Sequence, residues 1–170
     1  QPLPAGGRVA VVGNSTAIGV LVANACSAEG LQLTRLVDVG VDAGAEAFEP
    51  ALAGAVADPD VDAIVVVFVP PLQRSAGDDV AVALRTIAAS SQKPVLSTFL
   101  GFEGVPDAVA AAGEEAAPRG SVPSYPSPER AVRALARAVR YAAWRATPAG
   151  VVPELADLDL DRARELVDGV

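Results

Sequence analysis

The sequence has no histidine and no methionine, and only one cysteine, one tryptophan and one lysine. Without histidine there is no Ser-His-Asp or Cys-His nucleophile system and no imidazole general base. Cys26 has no second cysteine with which to form an internal disulfide, and the usual zinc site cannot be built around it without histidine. Bases are scarce too: thirteen against twenty-one acids, for a net charge of −8. That balance argues against duplex nucleic acid as a partner and against an anionic membrane surface. The longest apolar run, Ala63 to Pro71, falls far short of the ~20 residues of a membrane span. Gln1-Pro2-Leu3-Pro4 has neither the basic start nor the apolar stretch of a signal peptide, so a cytoplasmic location is expected. The first residue is not Met, which suggests a piece of a longer protein.

What remains suits a folded α/β globule. Half the residues are apolar (51%), but only 4% are aromatic, so Ala, Val and Leu must build the core. A chain of this length buries roughly 70% of its unfolded surface in a single domain. Short β-branched runs alternate with longer Ala-rich helical patterns, the sign of a parallel sheet with crossover helices. Strands are expected at Arg8–Val12, Leu31–Val37, Ala63–Val69 and Pro94–Thr98, with a short edge strand at Ser121–Pro123. Helices are expected at Ala17–Glu29, Gly44–Ala57, Gly77–Ser90, Pro106–Ala112 and from Ser127-Pro128 to Ala146. Ala63–Val69 has no polar residue, as a central strand buried on both faces should. Five strands of this kind make a flavodoxin-like doubly wound parallel sheet the leading architecture. Residues 1–6 are expected to be a linker or disordered N-terminus, 7–147 the domain, and 148–170 a linker with a short helix opening at Asp159-Leu160-Asp161.

In such sheets ligands bind beyond the carboxyl ends of the strands, where three loops qualify. Gly13, Asn14, Ser15 and Thr16 offer backbone N–H groups and hydroxyls at a helix start, fit either for an anion or for a plain capped turn. Pro70 and Pro71 stop the central strand, and Arg74, Ser75 and Ala76 precede the next helix, where Arg74 could add charge to an anion site. Phe99, Gly101 and Phe102 could shape an interface or fill the core. Cys26 reads as a small buried residue, and Tyr141 and Trp144 as pins for the last helix or contacts to another domain. On that helix Arg130, Arg133, Arg137 and Arg140 form a stripe, either solvated or docked to an acidic neighbour. A receiver domain would need Asp at the end of the central strand, where this chain has Val69-Pro70. No residue is assigned a catalytic or metal-binding role.

Five stretches together resemble a known family. Gly7 to Leu21 is similar to the strand-loop-helix opening the last flavodoxin-like domain of NDP-forming acyl-CoA synthetases. Asp58 to Pro71 is similar to that family's central strand and loop, and Lys93–Phe99 and Tyr125–Val132 to its later strand and terminal helix. The tail from Gly150 to Val167 resembles the connection into an ATP-grasp module. The resemblance spans residues 7 to 167 and implies a succinyl-CoA synthetase-like domain of a ligase that joins a carboxylate to CoA at the expense of a nucleoside triphosphate. CoA and ATP with Mg are then implied for the whole protein, none of them held by this domain. The implied partners are CoA-binding and ATP-grasp domains of the same protein and CoA or acyl-CoA, with a homodimer also open. In that family a phosphohistidine on a mobile loop shuttles between helix N-termini. Here the helix after Pro70-Pro71 would receive it, with Arg74, Ser75 and Ala76 at its start and the Gly13–Thr16 loop beside it. The first loop departs from the family by lacking paired glycines and a proline. Arg/Ala-rich relatives are often fused to a GNAT-type acetyltransferase, so a non-catalytic regulatory or docking module in such a fusion is the rival reading.

Overall fold

The computed structural model describes residues 1–70, 77–100, 121–151 and 159–169. The expected helix at Pro106–Ala112 and most of the linker after Val151 lie outside them. The described elements run β1 (Arg8–Gly13), α1 (Thr16–Ala28), β2 (Gln32–Asp38), α2 (Ala45–Ala57), β3 (Ala63–Phe68), α3 (Gly77–Ser90), β4 (Val95–Phe99), α4 (Pro128–Ala146) and α5 (Leu160–Asp168). All strand pairs are parallel, in the order β2-β1-β3-β4. That is the flavodoxin-like order, with β3 beside β1.

The expected five strands become four named ones among the described residues. The fifth place is taken by a single parallel bridge, Ser97 to Ser124, flanked by two backbone bonds: Ser97 N to Pro123 O and Tyr125 N to Ser97 O, both 2.8 Å. Pro123 has no N–H to donate, which keeps this segment from extending into a ladder. Residues 1–6 lie against the domain: the Val95 N–H donates to Gln1 Oε1 at 3.0 Å, and Pro4 is buried.

Strand alternation sorts the core into two layers. Ala10, Val12, Ile64, Val66, Phe68, Val95 and Phe99 pack with α2 and α3. Val9, Val11, Val65, Val67 and Leu96 pack with α1 and α4. Every residue of β3 is buried, as its unbroken apolar run requires. The α1 helix is capped by the Ser15 hydroxyl, which accepts from Ile18 N, and ends at Gly30 with φ +74°. There Leu31 N bonds Cys26 O at 2.8 Å, the closing bond of a glycine-terminated helix. The lysine has a structural place as well, its Nζ donating to the Asp58 and Ala55 carbonyls at the end of α2.

Arg8 and Asp62 clasp the amino ends of β1 and β3. Arg8 Nε and Nη2 donate to Asp62 Oδ2 and Oδ1 at 3.0 and 2.9 Å, and Arg8 N donates to Oδ2 at 3.0 Å. These bonds, the side-chain bond first, hold the Asp62 carboxyl below its ordinary pKa. The clasp sits at the edge opposite the ligand crevice and is structural.

Candidate functional site: the crevice beyond β1 and β3

The carboxyl ends of β1 and β3 adjoin because the chain leaves β1 for one side of the sheet and later returns to the other. Two loops therefore meet, one after Gly13 and one after Phe68. Gly13 lies so close to β3 that a Cβ there would meet Val67 O and Val67 Cβ, each at 2.8 Å. The next residue, Asn14, is 2% exposed. Its Nδ2 donates to Val69 O at 2.8 Å and Val41 O at 3.3 Å, and its Oδ1 accepts from Val69 N at 2.8 Å. One side chain thus ties together the loops leaving β1, β2 and β3.

Of the residues expected to bind an anion, Asn14 therefore has its amide committed to neighbouring backbone, and Ser15 Oγ caps α1. The Thr16 hydroxyl donates to Asp38 Oδ2, while Asp38 Oδ1 accepts from Gly40 N at 2.9 Å. The Thr16 bond is the larger reason the Asp38 carboxyl sits below its usual pKa. A carboxylate of the chain's own thus stands at the start of α1, where an incoming anion would meet like charge. Pro70 is exposed just beyond the Asn14 brace. Pro71, Arg74, Ser75 and Ala76 lie outside the described residues. The helix they lead into, α3, carries Asp78 and Asp79 in its first turn, both exposed.

Phe99, read as shaping an interface or filling the core, lies in the core. It is 3% exposed and packs its ring 5.2 Å from Phe68, which also meets Phe48 at 6.0 Å. In a chain so short of aromatics, these three supply the bulk of the α2/α3 side of the core. Gly101 and Phe102 lie outside the described residues. Tyr141 and Trp144 do not pin α4: their rings lie 5.7 Å apart and stay 48% and 69% exposed. Along the Arg stripe, Arg133 and Arg140 pair with Glu29 at 3.4 and 3.8 Å. The role of Asn14 could not be read from the sequence, because its partners lie 27 and 55 residues away. Thr98 was not singled out either; among the described residues its buried hydroxyl has no hydrogen-bond partner. No group of His, Cys, Asp and Glu among the described residues could hold a metal ion, and no helix among them is long and apolar enough to cross a membrane.

Fold and crevice together define a flavodoxin-like α/β domain. No family model matches the chain. The ADP-forming acetate–CoA ligase I subunit alpha of Pyrococcus furiosus is 25% identical over 166 residues, covering 85% of this chain and 35% of its own length. The crystal structure of PH0766 from Pyrococcus horikoshii OT3 is similar at a TM-score of 0.72 and 21% identity, over 86% of this chain and 38% of that one. The apo dinucleotide-forming acetyl-coenzyme A synthetase 1 of Ca. Korarchaeum cryptofilum is similar at a TM-score of 0.63 and 23% identity, over 87% and 37%. The resemblance to NDP-forming acyl-CoA synthetases is thus met by a ligase relative, and the fold by both structures. The chain spans little more than a third of the length of each.

Proposed function

We propose that this chain is one domain of an ADP-forming acyl-CoA ligase, and that the N-terminus of α3 receives a phosphoryl group carried by another domain. The observation that carries the reading is the ligase relative, whose likeness extends over 85% of the chain. Asn14 fixes the exit of β3 at Val69. The helix start after the Gly13–Thr16 loop already faces Asp38. In the sequence Arg74, Ser75 and Ala76 directly precede α3, and a guanidinium with backbone N–H groups at a helix start is a combination suited to a phosphoryl group. Asp78 and Asp79 offset part of the helix dipole, so Arg74 is the residue that restores positive charge there.

CoA and ATP are assigned to other domains of the whole protein. With no histidine, the domain receives the phosphoryl group without carrying it covalently in that way.

Titrating inorganic phosphate into the 170-residue chain, followed by amide NMR, tests the reading. The account expects the Ser75, Ala76 and Gly77 amides to shift and saturate, with Ser15 and Thr16 little changed. Shifts at the first loop with α3 silent, or at neither place, overturn the receiving role and favour the docking-module reading.

A further inference from the structure

Helix α4 packs on the α1 face of the sheet, opposite α3, and with 19 residues against 13 it projects past α1. It holds five arginines and a single acid, Glu129, within a chain of net charge −8. Arg130, Arg133 and Arg137 fall on one helical face and line a groove of about 500 Å³, walled at one side by Ser124 and Tyr125. That volume is in the range of small-molecule sites, ~300–1,000 Å³. Among the described residues Glu29 and Glu129 are the acids beside this stripe, against Arg130, Arg133, Arg137 and Arg140, so the groove stays positive.

The donors at this groove are only partly spent. Arg133 pairs with Glu29 at 3.4 Å, but Arg137 has no hydrogen bond or ion pair among the described residues. Tyr125 packs its ring against the α1/α4 layer, and its hydroxyl has no partner among the described residues either. Burial raises the phenol pKa, so it keeps its proton and remains a donor at neutral pH. Ser124 Oγ accepts from the Phe99 N–H at 3.3 Å, which leaves its own proton to give. The end of α4 is closed by its cap, Ser127 Oγ accepting from Arg130 N at 3.4 Å, so side chains and not the helix terminus make the site. A single phosphate satisfies one guanidinium fork or two, whereas a row of three suits linked phosphoryl groups. The concave wall suits a compact anion better than the side of an acidic helix. We propose that this groove binds a small anion of two or three linked phosphoryl groups, gripped by Arg133 and Arg137 with Tyr125 donating from the wall. The inference does not depend on the ligase reading.

The probe is inorganic tripolyphosphate, titrated into the isotope-labelled 170-residue chain and followed by NMR at backbone amides and arginine Nε–H groups. Saturating shifts are expected from Tyr125 to Arg137. Arg137→Ala should weaken binding about 10-fold, the loss of one charge-assisted contact. Arg145→Ala, which removes the same charge from the projecting end of α4, should change it by less than about twofold. Far-UV circular dichroism confirms that both variants stay folded. Monophosphate should bind at least ~10-fold more weakly than tripolyphosphate. Equal losses in the two variants overturn the proposal, since the attraction would then be diffuse charge. So does displacement by hexaglutamate at equal concentration, which would make the occupant a carboxylate-rich partner. Shifts confined to Ser75–Gly77 overturn it while leaving the receiving role of α3 standing, and shifts at α4 with Ser75–Gly77 silent do the reverse.

Discussion

Asn14 is bonded at both ends of its amide, with Val69 N–H and Val69 O on one side and Val41 O on the other. Asn14→Ala leaves the half-buried Val69 N–H and carbonyl without that partner and should cost about 1–3 kcal/mol, read as a lower urea midpoint with unchanged slope. Cys26 shows the opposite behaviour of a side chain at this scale. It lies fully buried between α1 and the sheet, and burial pushes its thiol up to about 11. Labelling of the native chain by a thiol reagent at pH 8 should run at least ~100-fold slower than in urea, since little thiolate exists and less is reachable. Fast labelling of the folded chain would show that α1 opens locally. The burial of Cys26 was legible from its Ala-rich helix. The brace at Asn14 was not, because its polarity and its place before a helix fit an anion ligand equally well. Only the spatial neighbours separate the two.

At the scale of elements, periodicity located what it could reach. β3 announced itself by seven residues without a polar side chain, and α4 by a Ser-Pro start and a clean division of faces. The fifth strand was expected because Ser121-Val122-Pro123 is short and β-compatible, yet the proline reduces it to a bridge. Phe99 was legible as apolar, but its contact with Phe68 depends on the pairing of β3 with β4, which no local pattern encodes. Two outcomes belong here. The Arg8–Asp62 clasp joins the starts of β1 and β3, and the native Asp62 carboxyl titrates below its usual value. Its contribution is therefore complete above the ordinary aspartate pKa of 3.8 and is lost as pH falls through the lower native value. Asp62→Asn should lower stability at pH 7 and flatten its fall between about pH 5 and pH 2. A fall as steep as in the native chain would place the acid sensitivity elsewhere. At α3, Asp78→Asn/Asp79→Asn removes two charges from the first turn and should tighten phosphate binding by roughly 3- to 10-fold at low ionic strength.

The whole molecule is a two-faced parallel sheet whose carboxyl-end crevice is braced by one asparagine and whose last packed helix projects past its neighbour. The matched stretch spans little more than a third of the ligase relative and of the two similar structures. The direct test is the rate of ATP-dependent acyl-CoA synthesis by the full-length protein carrying Arg74→Ala. Removing a guanidinium from the helix proposed to receive the phosphoryl group should lower kcat about 10- to 1000-fold while the KM for CoA changes little. An unchanged kcat, with the variant folded and the native protein active, would contradict the assignment of this domain as the receiving wall.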